Sequence, residues 1–253
     1  MKLKKYLLSS QKIQNDIRIC LISDLHSKNP RKCLNALAKI KPNFILCAGD
    51  ILERLDGYRD AENQNGFDFL NAAQKIAPTY YSYGNHELYG GSGEKRKLPV
   101  TNRKITAENE KKLKMSGVCI LDDEYTDIGG ICIGGLSSGL ADFSDNIPNL
   151  DFARGFADAS GYKILLCHHP EYYRAYLSGL DIDLVLSGHA HGGQWRIFGR
   201  GVYAPNQGLF PKYTSGIHYG RHIISTGVSN SVFPIPRIFN PKEIVYIEIK
   251  SSK

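Results

Sequence analysis

Short apolar runs that end in small residues and hand over to a polar side chain recur along this sequence. Ile17-Arg18-Ile19-Cys20-Leu21-Ile22 leads to Ser23-Asp24-Leu25-His26, and Asn43-Phe44-Ile45-Leu46-Cys47-Ala48 leads to Gly49-Asp50. Pro78-Thr79-Tyr80-Tyr81-Ser82-Tyr83 leads to Gly84-Asn85-His86-Glu87. Runs of this length, rich in β-branched and aromatic residues, predict buried strands. A helical period takes over between them. Asn29-Pro30 reads as an N-cap followed by proline at the first helical position, opening a helix to about Ile40 with Leu34, Leu37 and Ile40 on one face. Asn65-Gly66 marks a loop, after which Phe69, Leu70, Ala73 and Ile76 predict a second helix. A glycine-rich basic loop precedes a third, near Ile105–Met115, stopped at Gly117.

The second half is richer in strand candidates: Val118–Leu121, Gly130–Ile133, Lys163–Cys167, Leu184–Ser187, Arg221–Thr226 and Glu243–Ile249. The clearest helix among them is Glu171–Leu177, closed by Gly179. The pattern predicts a β-α-β first half in one sheet and a more antiparallel second half in another, packed face to face with helices outside. With no internal repeat and no linker, 253 residues suit one α/β domain, residues 16–250, behind a basic N-terminal segment, residues 1–15.

Composition refines this picture in two respects. Hydrophobic content of 42% and charged content of 23% describe an ordinary globular chain and exclude a disordered one. A net charge of +7 predicts attraction to anions such as phosphorylated substrates, acidic lipid headgroups or nucleic acid. Lys95-Arg96-Lys97, Arg103-Lys104 and Lys111-Lys112-Leu113-Lys114 read as a solvated loop and helix face rather than a nucleic-acid groove. Six cysteines without Cys-x-x-Cys spacing fall mostly inside apolar runs, as reduced core thiols of a cytosolic protein do. The basic N-terminus lacks the apolar stretch of a signal peptide, and no transmembrane helix is expected. These features predict a cytoplasmic protein with no obligate protein partner and at most weak peripheral contact with an anionic membrane.

Candidate chemistry centres on Ser187-Gly188-His189-Ala190-His191-Gly192-Gly193-Gln194, just past the apolar run Ile182–Leu186. Two histidines at i and i+2 of extended chain point to one side, and the flanking glycines let backbone approach a ligand. The polar residues collected at strand ends are Asp24, His26, Asp50, Asn85, His168, His189 and His191. Two carboxylates, four imidazoles and one amide exceed a single tetrahedral zinc site and suit two ions sharing a carboxylate.

At this point the sequence closely resembles the calcineurin-like metallophosphoesterase family, whose blocks Asp-x-His, Gly-Asp, Gly-Asn-His-Glu, His and Gly-His-x-His occur here in order. The resemblance implies a four-layer α/β/β/α sandwich of two mixed β-sheets flanked by helices. It also implies two divalent ions (Mn, Fe, Zn, Co or Ni): one held by Asp24, His26 and His191, the other by Asn85, His168 and His189, with Asp50 bridging. His168 is preferred to His169 because it matches the family's His-x-Pro form, which leaves His169 behind the ligands or at the rim. Cys167, pointing away from its neighbour on a strand, belongs to the core. His86 is assigned to the reacting phosphate and leaving group as the catalytic proton donor. Asp56 and Glu53, the other carboxylates weighed for that role, read as ordinary solvated side chains.

The expected reaction is attack on phosphorus by metal-activated water, without a protein nucleophile. The segments Tyr203–Tyr213 and Phe233–Pro241 resemble a bacterial branch of phosphodiesterases and UDP-2,3-diacylglucosamine pyrophosphatase-like enzymes. That branch implies a phosphorylated small-molecule or lipid-headgroup substrate, with Lys212, Arg196 or Arg237 available for a second phosphate. A phosphomonoesterase, a nuclease and a non-catalytic scaffold of the same fold are the alternatives. The nuclease is disfavoured for want of a capping domain, and the scaffold because every ligand position is intact.

Overall fold

The computed structural model describes residues 1–53, 63–88, 107–138, 147–230 and 236–252. Its first half contains β1 (Lys2–Ser10), β2 (Ile17–Ile22), α1 (Arg31–Ile40), β3 (Phe44–Ala48), α2 (Gln64–Ile76), β4 (Thr79–Ser82), α3 (Asn85–Leu88), α4 (Ala107–Met115) and β5 (Cys119–Ile120). Then come β6 (Glu124–Asp127), β7 (Ile131–Leu136), α5 (Leu150–Ala157), β8 (Tyr162–Cys167) and β9 (Leu184–Ser187). Two small hairpins, β10 (Arg196–Ile197) with β11 (Arg200–Gly201) and β12 (Tyr203–Ala204) with β13 (Gly208–Leu209), precede β14 (Gly216–His218), β15 (His222–Ile224) and β16 (Glu243–Ser251).

The strands form two six-stranded sheets, ordered β1-β16-β2-β3-β4-β5 and β14-β15-β9-β8-β7-β6. Alternation along each strand divides the apolar side chains among three cores. Ile19, Leu21, Leu46 and Val245 of the first sheet meet Ile164, Leu166, Leu184 and Ile223 of the second. On the outer face of the first sheet, Cys20, Ile22 and Cys47 pack under Leu37 of α1 and Phe69, Leu70 and Ala73 of α2. On the outer face of the second, Leu165, Cys167 and Val185 pack under Phe156 of α5 and Leu177. The result is the four-layer α/β/β/α sandwich, in which each fully buried Leu or Ile contributes about 1.5–3 kcal/mol. All six cysteines are free; burial pushes the Cys20 thiol up to about 12 and raises that of Cys167, so these are inert core groups.

Several expectations are corrected. Lys2–Ser10 is not a segment outside the fold but the edge strand of the first sheet, parallel to β16, with lysines along a side that must not recruit another chain. The second sheet is parallel through β7, β8, β9 and β15 and antiparallel only at its edges. β5 and β16 belong to the first sheet, so the chain returns there at its end. Asn65 and Gly66 lie inside α2, where a Cβ on Gly66 would sit 2.5 Å from Leu52 and 2.8 Å from Ser27 Oγ. That glycine serves close helix packing rather than a turn. The helix expected at Glu171–Leu177 is present, α-helical at Glu171 and Tyr172 and π-helical over Tyr173–Leu177. α1 begins at Arg31 with Pro30, not Asn29, at its N-cap, one residue later than expected, and the Arg31 amide donates to Asn29 Oδ1 at 3.0 Å. On α4, Lys112 and Lys114 pair with Glu108 and Glu110 one turn earlier, as a solvated helix face does. The Lys95–Lys97 and Arg103-Lys104 clusters lie outside the described residues.

Candidate metal centre

Parallel strands β2, β3 and β4 of one sheet and β8 and β9 of the other end at the same rim, and one to three residues past these ends stand Asp24, Asp50, Asn85, His168 and His189. Backbone bonds hold the rim together: Asp24 N donates to Gly49 O at 3.2 Å, and Gly188 N to His168 O at 3.1 Å. The two sheets are joined where His189 N donates to Asp24 Oδ1 at 3.0 Å and His168 Nδ1 to Ala48 O at 2.7 Å. Gly188 allows the contact, since a Cβ there would lie 2.7 Å from Asp24 Oδ2.

Asp24, His26, Asp50, His189 and His191 all adopt left-handed backbone, with φ of 54°, 50°, 52°, 65° and 45°. Such conformations are uncommon for residues with a Cβ and cost about 1–3 kcal/mol each, so they persist only where surrounding structure enforces them. They also correct the reason given for the His-x-His pair. The chain at His189 and His191 is a tight turn, not a strand, and the two rings diverge. His191 joins Asp24 and His26, while His189 joins Asp50 and His168.

The first group is buried. His26 Nε2 and His191 Nε2 lie 3.1 Å apart, and His191 Nε2 is 3.5 Å from Asp24 Oδ1. Asp24 Oδ2 has no hydrogen-bond partner, and burial raises the carboxyl's pKa. In the second group, His168 Nε2 lies 3.1 Å from Asp50 Oδ2, and His189 Nδ1 lies 3.0 Å from Asn85 Oδ1. Asp50 Oδ2 also lies 3.9 Å from His26 Nε2, so one carboxylate oxygen faces both groups. Burial opposes charge on Asp50 and on His168, but their mutual attraction outweighs it. It holds Asp50 well below the carboxylate range and lifts His168 to about 10. Burial keeps His189 and His191 far below their ordinary pKa, hence neutral and able to offer a lone pair.

This donor set fits divalent cations. Paired imidazole nitrogens, a buried carboxylate oxygen without a donor, and a second carboxylate between both groups each want positive charge. Support beyond the ligands is also present. The Ala48 carbonyl fixes the His168 tautomer with Nε2 inward, the usual arrangement for a metal-bound histidine.

Four residues have surroundings that the sequence did not reveal. Glu53 is not a solvated carboxylate: it is buried, 2.6 Å from His86 Nδ1 and 3.2 Å from His26 Nδ1. Those imidazoles hold it below the carboxylate range against the opposing effect of burial. Asp56 lies outside the described residues. Glu87, fully buried, accepts from the amides of Asp50 (2.9 Å), Leu52 (3.0 Å) and Gly84 (2.7 Å) and from Tyr81 OH (2.5 Å). It ties the β3 and β4 ends together; its place in Gly-Asn-His-Glu was the available signal. His169 is buried behind the candidate ligands, one of the two places expected for it, paired with Glu171 at 3.1 Å and with its ring 4.1 Å from that of His189. Asn206 Nδ2 donates to Glu171 at 3.0 Å.

His86 packs edge-on against His26, ring centroids 4.6 Å apart, in a cluster with Glu53, with Nε2 3.9 Å from Asp50 Oδ2 and its amide donating to Asp50 Oδ1 at 2.9 Å. Of the three cations considered for a second phosphate, Arg196 is committed to carbonyls of Gly192 and Gly199, and Lys212 is exposed beside Tyr219. Arg237 lies beside the first group, its Nη2 3.1 Å from His191 Nδ1 and donating to Thr226 O and Ser229 O, while buried Nε and Nη1 have no partner among the described residues.

The chain is 30% identical to an uncharacterized metallophosphoesterase of Campylobacter jejuni, over 95% of its own length and 61% of the relative's. It is 28% identical to one from Helicobacter pylori, over 98% and 64%, so it spans less than two thirds of these relatives. A dimetal phosphatase from Danio rerio aligns with a TM-score of 0.47 at 11% identity, over 83% of this chain and 87% of that one. The calcineurin-like phosphoesterase model matches residues 17–193, which run from the start of β2 through the His-x-His turn, and the chain belongs to that family.

Proposed function

We propose that this protein is a metal-dependent phosphoric ester hydrolase acting on phosphodiester or pyrophosphate bonds. The observation that carries the reading is the position of Asp50 Oδ2 between the buried group Asp24–His26–His191 and buried His168 and His189, with half-buried Asn85 beside His189. These residues would hold two divalent ions, which would supply Lewis-acid activation of water and neutralise charge on the phosphoryl oxygens.

The chain's own residues do the rest. Asp24 and Asp50 provide compensating negative charge, and neutral His189 and His191 offer lone pairs. His86, with Nδ1 held by Glu53, directs Nε2 towards Asp50 and serves as donor to the departing oxygen. The Nε and Nη1 of Arg237, without a partner among the described residues, suit an anionic oxygen beside the first group and support a substrate with a second phosphate to hold. This favours pyrophosphates such as UDP-sugars over simple monoesters.

Metal analysis followed by hydrolysis assays across mononucleotides, cyclic nucleotides, UDP-sugars and glycerophosphodiesters tests the reading. Two ions per chain and turnover of diesters or pyrophosphates above monoesters are expected. Preference for monoesters would replace the substrate class, and activity without metal would overturn the mechanism.

A further inference from the structure

We propose that the surface carrying Phe198, Phe210 and Phe239 docks on an anionic lipid bilayer, with the metal site opening beside it. Two independent observations meet there. From Leu184 to Lys242 the sequence contains no Asp or Glu, yet it holds Arg196, Arg200, Lys212, Arg221, Arg237 and Lys242, most of the chain's net charge of +7. The same stretch carries large apolar side chains turned to water: Phe198 is 102% exposed, Phe239 85%, and Phe210 and Leu209 72% each.

These aromatics sit at turns that a polar residue or glycine would occupy at less cost. Phe198, Phe210 and Phe239 have φ of 48°, 51° and 54°, in the left-handed region. Strained backbone that presents an apolar ring to solvent gains nothing for folding, whereas it gains if the ring inserts elsewhere. The turns belong to one connected ribbon. Trp195 bridges Ile238, Arg196 N donates to Ile238 O at 3.0 Å, and Val202 takes Trp195 O and offers its own carbonyl to Phe210 N.

Protruding aromatics and cations on a stretch of chain that itself holds no carboxylate match the chemistry of a negatively charged membrane interface. A second copy of this chain would bring like charges together, which opposes a symmetric contact. The ribbon is also bonded to the metal site, because Asn240 Nδ2 donates to His191 O at 2.7 Å and to Gln194 O at 3.0 Å. Docking therefore places the site at the level of lipid headgroups. The inference concerns a surface and stands whether or not the site hydrolyses phosphoesters.

The single tryptophan, Trp195, lies in this ribbon and is 42% exposed, so it reports docking directly. The experiment titrates the full chain with vesicles of phosphatidylglycerol mixed with phosphatidylcholine and follows Trp195 emission and co-sedimentation. A blue shift and sedimentation with the anionic vesicles, weakened by salt and absent with pure phosphatidylcholine, are expected. The Phe198→Ser/Phe239→Ser variant should lose binding about tenfold or more, and Arg200→Glu/Lys242→Glu should do the same, with metal content and hydrolysis of a soluble diester unchanged. Failure to bind anionic vesicles at low salt would overturn the proposal. So would unchanged binding by both variants, a self-association abolished by the Phe substitutions, or single-stranded oligonucleotide binding that displaces the vesicles.

Discussion

The Nδ1 of His86 lies 2.6 Å from Oε1 of Glu53, while the other oxygen of the same carboxylate lies 3.2 Å from Nδ1 of His26. One buried side chain thus braces both the candidate proton donor and a candidate metal ligand. With Nδ1–H held, His86 presents Nε2, and Asp50 and Glu53 raise its pKa despite burial. His86→Ala should keep both metals and the fold but lose about 10²–10⁴ in rate, the usual worth of general acid catalysis. The loss should be largest for poor alkoxide leaving groups and smallest for p-nitrophenolate. Steady-state kinetics on both substrate types, with metal analysis, check this.

Glu53→Gln keeps the shape of the brace and removes its charge. The imidazolium of His86 is then less favoured, so the acidic form should be lost at lower pH than in the parent. A kcat reduced by about tenfold, a pH–rate profile whose alkaline limb moves down, and unchanged metal content are expected. An unmoved limb would assign Glu53 to positioning alone.

Replacing Asp50 with Asn leaves the amide contact of His86 in reach but takes away the charge that two cations share. Metal content should fall below two per chain, together with activity. In the parent protein, chelation should lower the melting temperature, and Mn or Zn should restore it, because buried Asp24 and Asp50 are otherwise left without cations. Calorimetry with and without chelator measures both effects.

Much of this site could be read from residue order because each ligand follows an apolar strand directly, and strand, small residue and ligand are all local. The three cores follow equally directly from period-two alternation, as at Ile19 and Leu21 against Cys20 and Ile22. What escaped was set by tertiary context. Lys2–Ser10 carries too many lysines to read as a strand until β16 offers a partner from the far end of the chain. Glu53 resembles any surface carboxylate until His26 and His86 close over it. The parallel pairing of β15 with β9 depends on a return path that no local pattern records.

Glu87 offers a test of stability separate from catalysis. Its four donors, three amides and the Tyr81 hydroxyl, all require acceptors, and they outnumber what a neutral amide can satisfy. Glu87→Gln turns an NH2 group towards two of them, leaving buried donors unmet at about 1–3 kcal/mol each. Urea unfolding of the metal-free protein should show a loss within that range. Tyr81→Phe, which removes one donor and leaves the carboxylate satisfied by the amides, should cost less.

His222 governs a pH dependence away from the metal groups. It is fully buried in β15, 3.0 Å from Ser187 Oγ and stacked on Tyr173 at 4.5 Å, with Nδ1 unpartnered. Burial, reinforced by His218, lowers its pKa to about 3. The unfolded chain releases this proton near the ordinary histidine value of about 6.5, so between those two pH values the unfolded state binds the extra proton. Stability should therefore be fully present above that upper value and fall as pH drops through the window, by about 1.4 kcal/mol per pH unit from this residue. His222→Phe can keep the stack on Tyr173 but cannot take up a proton. The variant loses the Ser187 contact and is less stable at pH 7, yet its stability should decline less steeply on acidification. Urea unfolding at several pH values between 4 and 7, in parent and variant, measures the two slopes. Parallel curves would mean that His222 is not the group that titrates on unfolding.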